Sequence, residues 1–128
     1  MTTSTDANAF LAKAQEALTS ATADLNAARF NSCANRCYFA CFQAAVAALL
    51  RFDLNANSHR AAQELFAREL INRRKEYPLD MRDALSRLVI LRRTADYEAK
   101  PIGRTEAARA LRTARDFVAQ VLAKERRP

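Results

Sequence analysis

Apolar residues recur at steps of three and four along most of the chain, the period of a helix that buries one face. With Thr5 or Asp6 as N-cap, Phe10, Leu11, Ala14, Leu18, Ala21 and Leu25 predict a first helix to about Asn26. A second begins near Ala27 and runs to about Phe52, carrying Cys37, Tyr38, Cys41, Phe42, Ala45, Leu49 and Phe52 on its stripe. "DLNANS" breaks the pattern, and Ser58 caps a shorter helix with Ala62, Leu65, Phe66 and Leu70 inward. Pro78 closes the charged connection "NRRKEYP" and opens a fourth helix with Met81, Ala84, Leu85, Leu88, Leu91 and Ala95 inward, ending near Tyr97. After the loop "EAKPIGR", Thr105 caps a fifth helix in which Ala107, Leu111, Ala114, Val118 and Val121 repeat, while Arg104, Arg109, Arg112 and Arg115 stay on the wet face. The tail "KERRP" is expected to fray.

These stripes predict an all-α fold, an up-and-down bundle of four to five helices forming one domain over residues 1–128. Composition agrees: twenty-eight alanines and a single glycine, Gly103, favour helices over sheets and tight turns. No apolar run approaches the roughly eighteen residues that span a bilayer, and "MTTSTDANAF" has neither the basic nor the apolar region of a signal peptide. The expectation is a cytoplasmic protein with no membrane segment. Seventeen of the twenty-one cations are arginine, so the net charge of +7 suits recognition of phosphate or carboxylate. An acidic partner or nucleic acid fits that balance, although charge alone does not require one.

Cys33, Cys37 and Cys41 stand at i, i+4 and i+8, one line along the second helix. That line permits two metal ligands where a tetrahedral site needs four, and the one histidine has no partner motif, so the cysteines read as small buried hydrophobes and no metal is expected. Ala40, Ala44, Ala47 and Ala48 give the same helix a second close-packing face, toward either a second subunit or a helix of the same chain. In "LRRTADY", Arg92 and Asp96 suit an ordinary surface ion pair worth only ~0.3–0.5 kcal/mol. Alternatively, Arg93 and Tyr97, one turn apart, hold a phosphate or nucleotide near the Gly103 loop. His59 is the only imidazole, either structural at a helix start or a group for acid and base work.

"ANRCYFACFQAAVAALL", "SH" and "LRRTADY", in that order, resemble the HEPN domain (higher eukaryote and prokaryote nucleotide-binding), in its small stand-alone prokaryotic branch. Asn35, Arg36, Tyr38, Ala40, Phe42, Ala44 and Ala45 match the pattern N-R-x-Y-Y-A-x-F-x-A-A, with Phe39 where a second tyrosine is usual. The resemblance implies a homodimeric helical bundle, without cofactor, that works beside a nucleotidyltransferase partner in a toxin-antitoxin or defence system and binds nucleotide or RNA. It also implies an alternative, a metal-independent endoribonuclease whose R-x4-6-H motifs meet across the dimer.

The chain departs from that motif. Arg51 is one residue too far from His59, and Asp96 stands where the helix-four histidine is wanted. An ionised carboxylate repels phosphate and has no proton to donate near neutral pH. The candidate phosphate or nucleotide contacts are therefore Arg36, Arg92, Arg93 and Tyr97, with His59 and Arg93 as the catalytic pair if RNA is cut. A helical scaffold without ligand is the third reading.

Overall fold

The computed structural model describes residues 4–125. They form helices α1 (Ser4–Asn26), α2 (Phe30–Leu50), α3 (His59–Leu65), α4 (Leu79–Tyr97) and α5 (Arg104–Glu125), with α3 running on into a π-helical segment at Phe66–Arg73. No strand occurs among the described residues, so the fold is the all-α bundle that the stripes predict. Winding is already present at Ser4, so Thr5 and Asp6, the expected caps, lie inside α1 instead; residues 126–128 of the tail are outside the described residues.

The centre of the bundle is α2, which touches every other helix and the π segment. From Ala44 to Leu50 every residue is buried, so this half of α2 is apolar all round, as only a helix packed on every side can be. Its alanines serve close neighbours within the chain, and the two packed faces need no second subunit. The same helix, 21 residues long, holds an 18-residue stretch of mean hydropathy 1.3, enough in length and apolarity to suit a bilayer, but 72% of that stretch is buried inside the bundle. The expectation that no run approaches that length needs correcting to this extent: scattered Cys, Ala and Phe sum to one.

Helix ends account for most differences from the pattern. Ala28, Asp53 and Lys75 all have positive φ (60°, 57° and 53°), each just beyond a helix terminus. At the first, the Ala28 and Arg29 amides turn back to the carbonyls of Leu25 and Asp24 at 3.1 and 2.8 Å, so α2 starts at Phe30 rather than Ala27. At the second, the Asp53 and Leu54 amides return to Leu50 and Leu49, which ends α2 before Phe52. The fifth helix starts at Arg104, not after Thr105, because Glu106 Oε1 reaches back to the Gly103 amide at 3.2 Å while the Gly103 carbonyl accepts from Ala107.

Ala62, Phe66 and Leu70 recur at steps of four, slightly longer than an α turn. The wider winding, seen in the Arg74 amide bonding to the Glu69 carbonyl five residues back, lets Phe66, Leu70 and Ile71 all reach the core. Phe66 lies between Tyr77 at 5.4 Å and Phe117 at 5.3 Å, joining the loop before α4 to α5. Burying such a ring contributes about 1.5–3 kcal/mol. The three cysteines are fully buried along α2, with Cys33 and Cys37 sulfurs 4.0 Å apart and the Cys33 thiol facing the Ala107 carbonyl at 3.8 Å. Burial pushes the Cys41 thiol up, so it stays protonated as packing material.

Candidate functional site

Three segments distant in sequence meet at one place. The first half of α2 supplies Asn35, Arg36, Tyr38, Phe39 and Phe42. The start of α3 supplies His59, set by the Ser58 side chain, which accepts the Ala61 amide at 3.0 Å as an N-cap. The end of α4 supplies Arg92 and Asp96.

The imidazole is the aromatic hinge of the cluster. His59 stacks on Phe42 with centroids 4.1 Å apart and planes 9° apart, and meets Phe39 edge-on at 5.5 Å. Its Nδ1 lies 2.6 Å from the buried Tyr38 hydroxyl. Burial, then the nearby Arg92 charge, holds the His59 pKa below its ordinary value, so the ring is neutral at pH 7. Burial likewise raises the Tyr38 hydroxyl, against the lowering influence of Gln63, Arg92 and Arg93, so it remains a neutral partner.

A polar relay runs beside these rings. Asn35 donates through Nδ2 to both Asp96 oxygens, at 3.0 and 3.2 Å, and its Oδ1 accepts from Arg36 Nε at 2.9 Å. Arg92 Nε donates to Asp96 Oδ2 at 3.1 Å. The Arg92–Asp96 pair on one helix face exists, but it is more than a surface pair, because Asn35 ties the same carboxylate to α2. Asp96 is a clamp between α2 and α4 with its oxygens already engaged. It is not a free base.

Both arginines look onto one ring: the Arg36 and Arg92 guanidinium carbons are 4.9 and 5.4 Å from the Phe39 centroid. Arg92 also lies 5.2 Å from the Tyr38 centroid and 5.9 Å from that of Tyr97. Among the described residues Arg36 hydrogen-bonds only to the neutral Asn35 amide oxygen and forms no ion pair, although its charge reaches the buried Asp24 carboxylate and helps hold that group's pKa down. Next to it, a cleft of about 310 Å³ between α1 and α2 is lined by Lys13, Glu16, Ala17, Ser20, Arg36, Phe39 and Gln43. The Gln43 Oε1 atom is buried without a hydrogen-bond partner.

Of the residues singled out in the sequence, Arg36, His59 and Arg92 come together. Tyr97 touches the edge through Arg92, and Arg93 stands on the exposed face of α4 with no ion pair among the described residues. Pattern reading missed Asn35, Tyr38, Phe39 and Phe42 as site members, having assigned Tyr38 and Phe42 to the core stripe. A signal existed: Arg36, Phe39 and Gln43, at i, i+3 and i+7, make a polar and aromatic line beside that stripe.

Comparison with curated proteins returns no match. Comparison with protein families matches the HEPN domain over residues 7–125, a span that takes in α2 to α5, all but the first turn of α1, and each member of the cluster. The chain belongs to the HEPN domain family.

Proposed function

We propose that this chain is a dimeric HEPN protein that binds nucleotide or RNA at the Arg36–Arg92 cluster, and that it acts in the cytoplasm beside a nucleotidyltransferase partner in a toxin-antitoxin or defence system. Membership of the family supports the setting. The observation that carries the ligand class is the pair of guanidiniums over the Phe39 ring, of which Arg36 lines the cleft and forms no ion pair among the described residues. Single-stranded nucleic acid and nucleotides are held by this combination, a π face for the base and fixed cations for the phosphate. The cleft is at the lower end of the roughly 300–1,000 Å³ of small-molecule pockets, a size for one nucleotide unit rather than a long duplex.

The test is fluorescence anisotropy with a short single-stranded RNA across a salt series. Arg36→Ala is expected to weaken binding and to reduce the slope of log affinity against log salt by about 0.7, the share of one phosphate contact in a single strand. Absence of RNA and nucleotide binding at modest salt would leave the scaffold reading.

The neutral, stacked His59 favours a second reading, metal-independent RNA cleavage. With Nδ1 occupied by Tyr38, its Nε2 is the edge left to take a proton from a ribose 2′-hydroxyl as that oxygen attacks the phosphorus, and to return it to the departing 5′-oxygen, with the nearby Arg92 steadying the phosphate. Strand scission in chelator that disappears in His59→Ala would select this reading. Unchanged scission in that variant removes His59 from the mechanism.

A further inference from the structure

Three large apolar side chains stand exposed among the described residues: Leu79 at 54%, Ile90 at 65% and Tyr97 at 76%. All three are on α4, whose opposite face already supplies Met81, Ala84, Leu85 and Leu88 to the core. Together with the exposed Asp83, Ser86 and Arg93 they occupy positions 79, 83, 86, 90, 93 and 97, alternating steps of four and three. That alternation is the seam of a helix pair, here facing away from the bundle.

We propose that this outer seam of α4 docks on α4 of a second copy, antiparallel, about a two-fold axis beside position 88. Around that axis, residues equally far before and after 88 face each other. Leu79 then meets Tyr97 of the second copy, Ser86 meets Ile90, and Asp83 meets Arg93, each pair occurring twice by symmetry. Both apolar ends are covered and the charges are opposite. Parallel pairing in register would set Asp83 against Asp83 and Arg93 against Arg93, while slipping the antiparallel register by seven residues leaves Arg93 and Tyr97 in one direction, or Leu79 and Asp83 in the other, facing no part of α4. Among the described residues Arg93 has no ion pair, and Asp83 has only its neighbour Arg82 at 3.5 Å, so both are available there.

The inference rests on the reading of the protein as a dimer and names its face. It gives Arg93 and Tyr97 to the interface, leaving Arg36 and Arg92 for the anion. It also separates the two clusters: Asp96 lies eight residues from the axis, so the two clamps are about 24 Å apart along the paired helices at 1.5 Å per residue. Two separate anion sites follow, rather than one composite site at the seam, which accords with the missing R-x4-6-H motif.

Sedimentation equilibrium of the full chain and of Asp83→Arg, Arg93→Asp and the double reversal tests this, with circular dichroism confirming that each exposed substitution leaves the helices intact. Each single reversal is expected to raise the dimer dissociation constant at least about tenfold, and the double reversal to restore most of it. A wild-type dimer indifferent to all three variants overturns this face while leaving the dimer reading in place. A wild-type monomer at every concentration overturns both.

Discussion

His59 shows how a single residue's environment sets its chemistry. Stacked on Phe42 and bonded to Tyr38, it pays a desolvation cost if it charges, and Arg92 adds repulsion. Its folded pKa is below the unfolded one, so between the two the unfolded chain binds more protons and stability falls as pH falls. As pH falls below about 6.5, the denaturant midpoint of the wild type is expected to drop relative to that of His59→Asn. Using the variant as reference separates His59 from Glu125, whose buried carboxyl is raised and acts in the opposite direction. Equal pH profiles for the two proteins would mean that the imidazole charges as readily folded as unfolded.

At the scale of elements, the helix ends carry the information that periodicity lacks. Ala28, Asp53 and Lys75 adopt the left-handed region where glycine is usual, costing roughly 1–2 kcal/mol each relative to unstrained backbone. Ala28→Gly is expected to stabilise the protein by about 0.5–1 kcal/mol, because lost strain exceeds glycine's added unfolded entropy. Thermal unfolding would register this as a rise of roughly 2–4 °C; a fall would show that the turn is not strained. The stripes of all five helices were legible because burial follows period: Ala107, Leu111, Ala114, Val118 and Val121 are all buried as read. Their ends were less so, since a chain with one glycine closes three helices without the usual signal. The π winding was invisible because Ala62, Phe66 and Leu70 also fit an α stripe.

For the whole molecule, the site is a tertiary event. The Tyr38–His59 bond joins positions 21 apart, and the Asn35–Asp96 bonds join positions 61 apart, so no local pattern contains them. Residue type and family position picked out Arg36, His59 and Arg92 together with Arg93 and Tyr97, which lie at or beyond the cluster's edge; Tyr38 and Phe42 read as core because they share the apolar stripe, and Tyr38 is indeed buried. The net charge of +7 offers a rival, diffuse binding surface, since Arg109 and Arg112 on exposed α5 form no ion pair among the described residues. Side-chain NMR during titration with a short RNA distinguishes the two most directly. Shifts concentrated at the Arg36 and Arg92 Nε–H groups and the His59 ring are the expected result. Shifts confined to Arg109 and Arg112, with the Arg36–Arg92 cluster silent, would contradict the account.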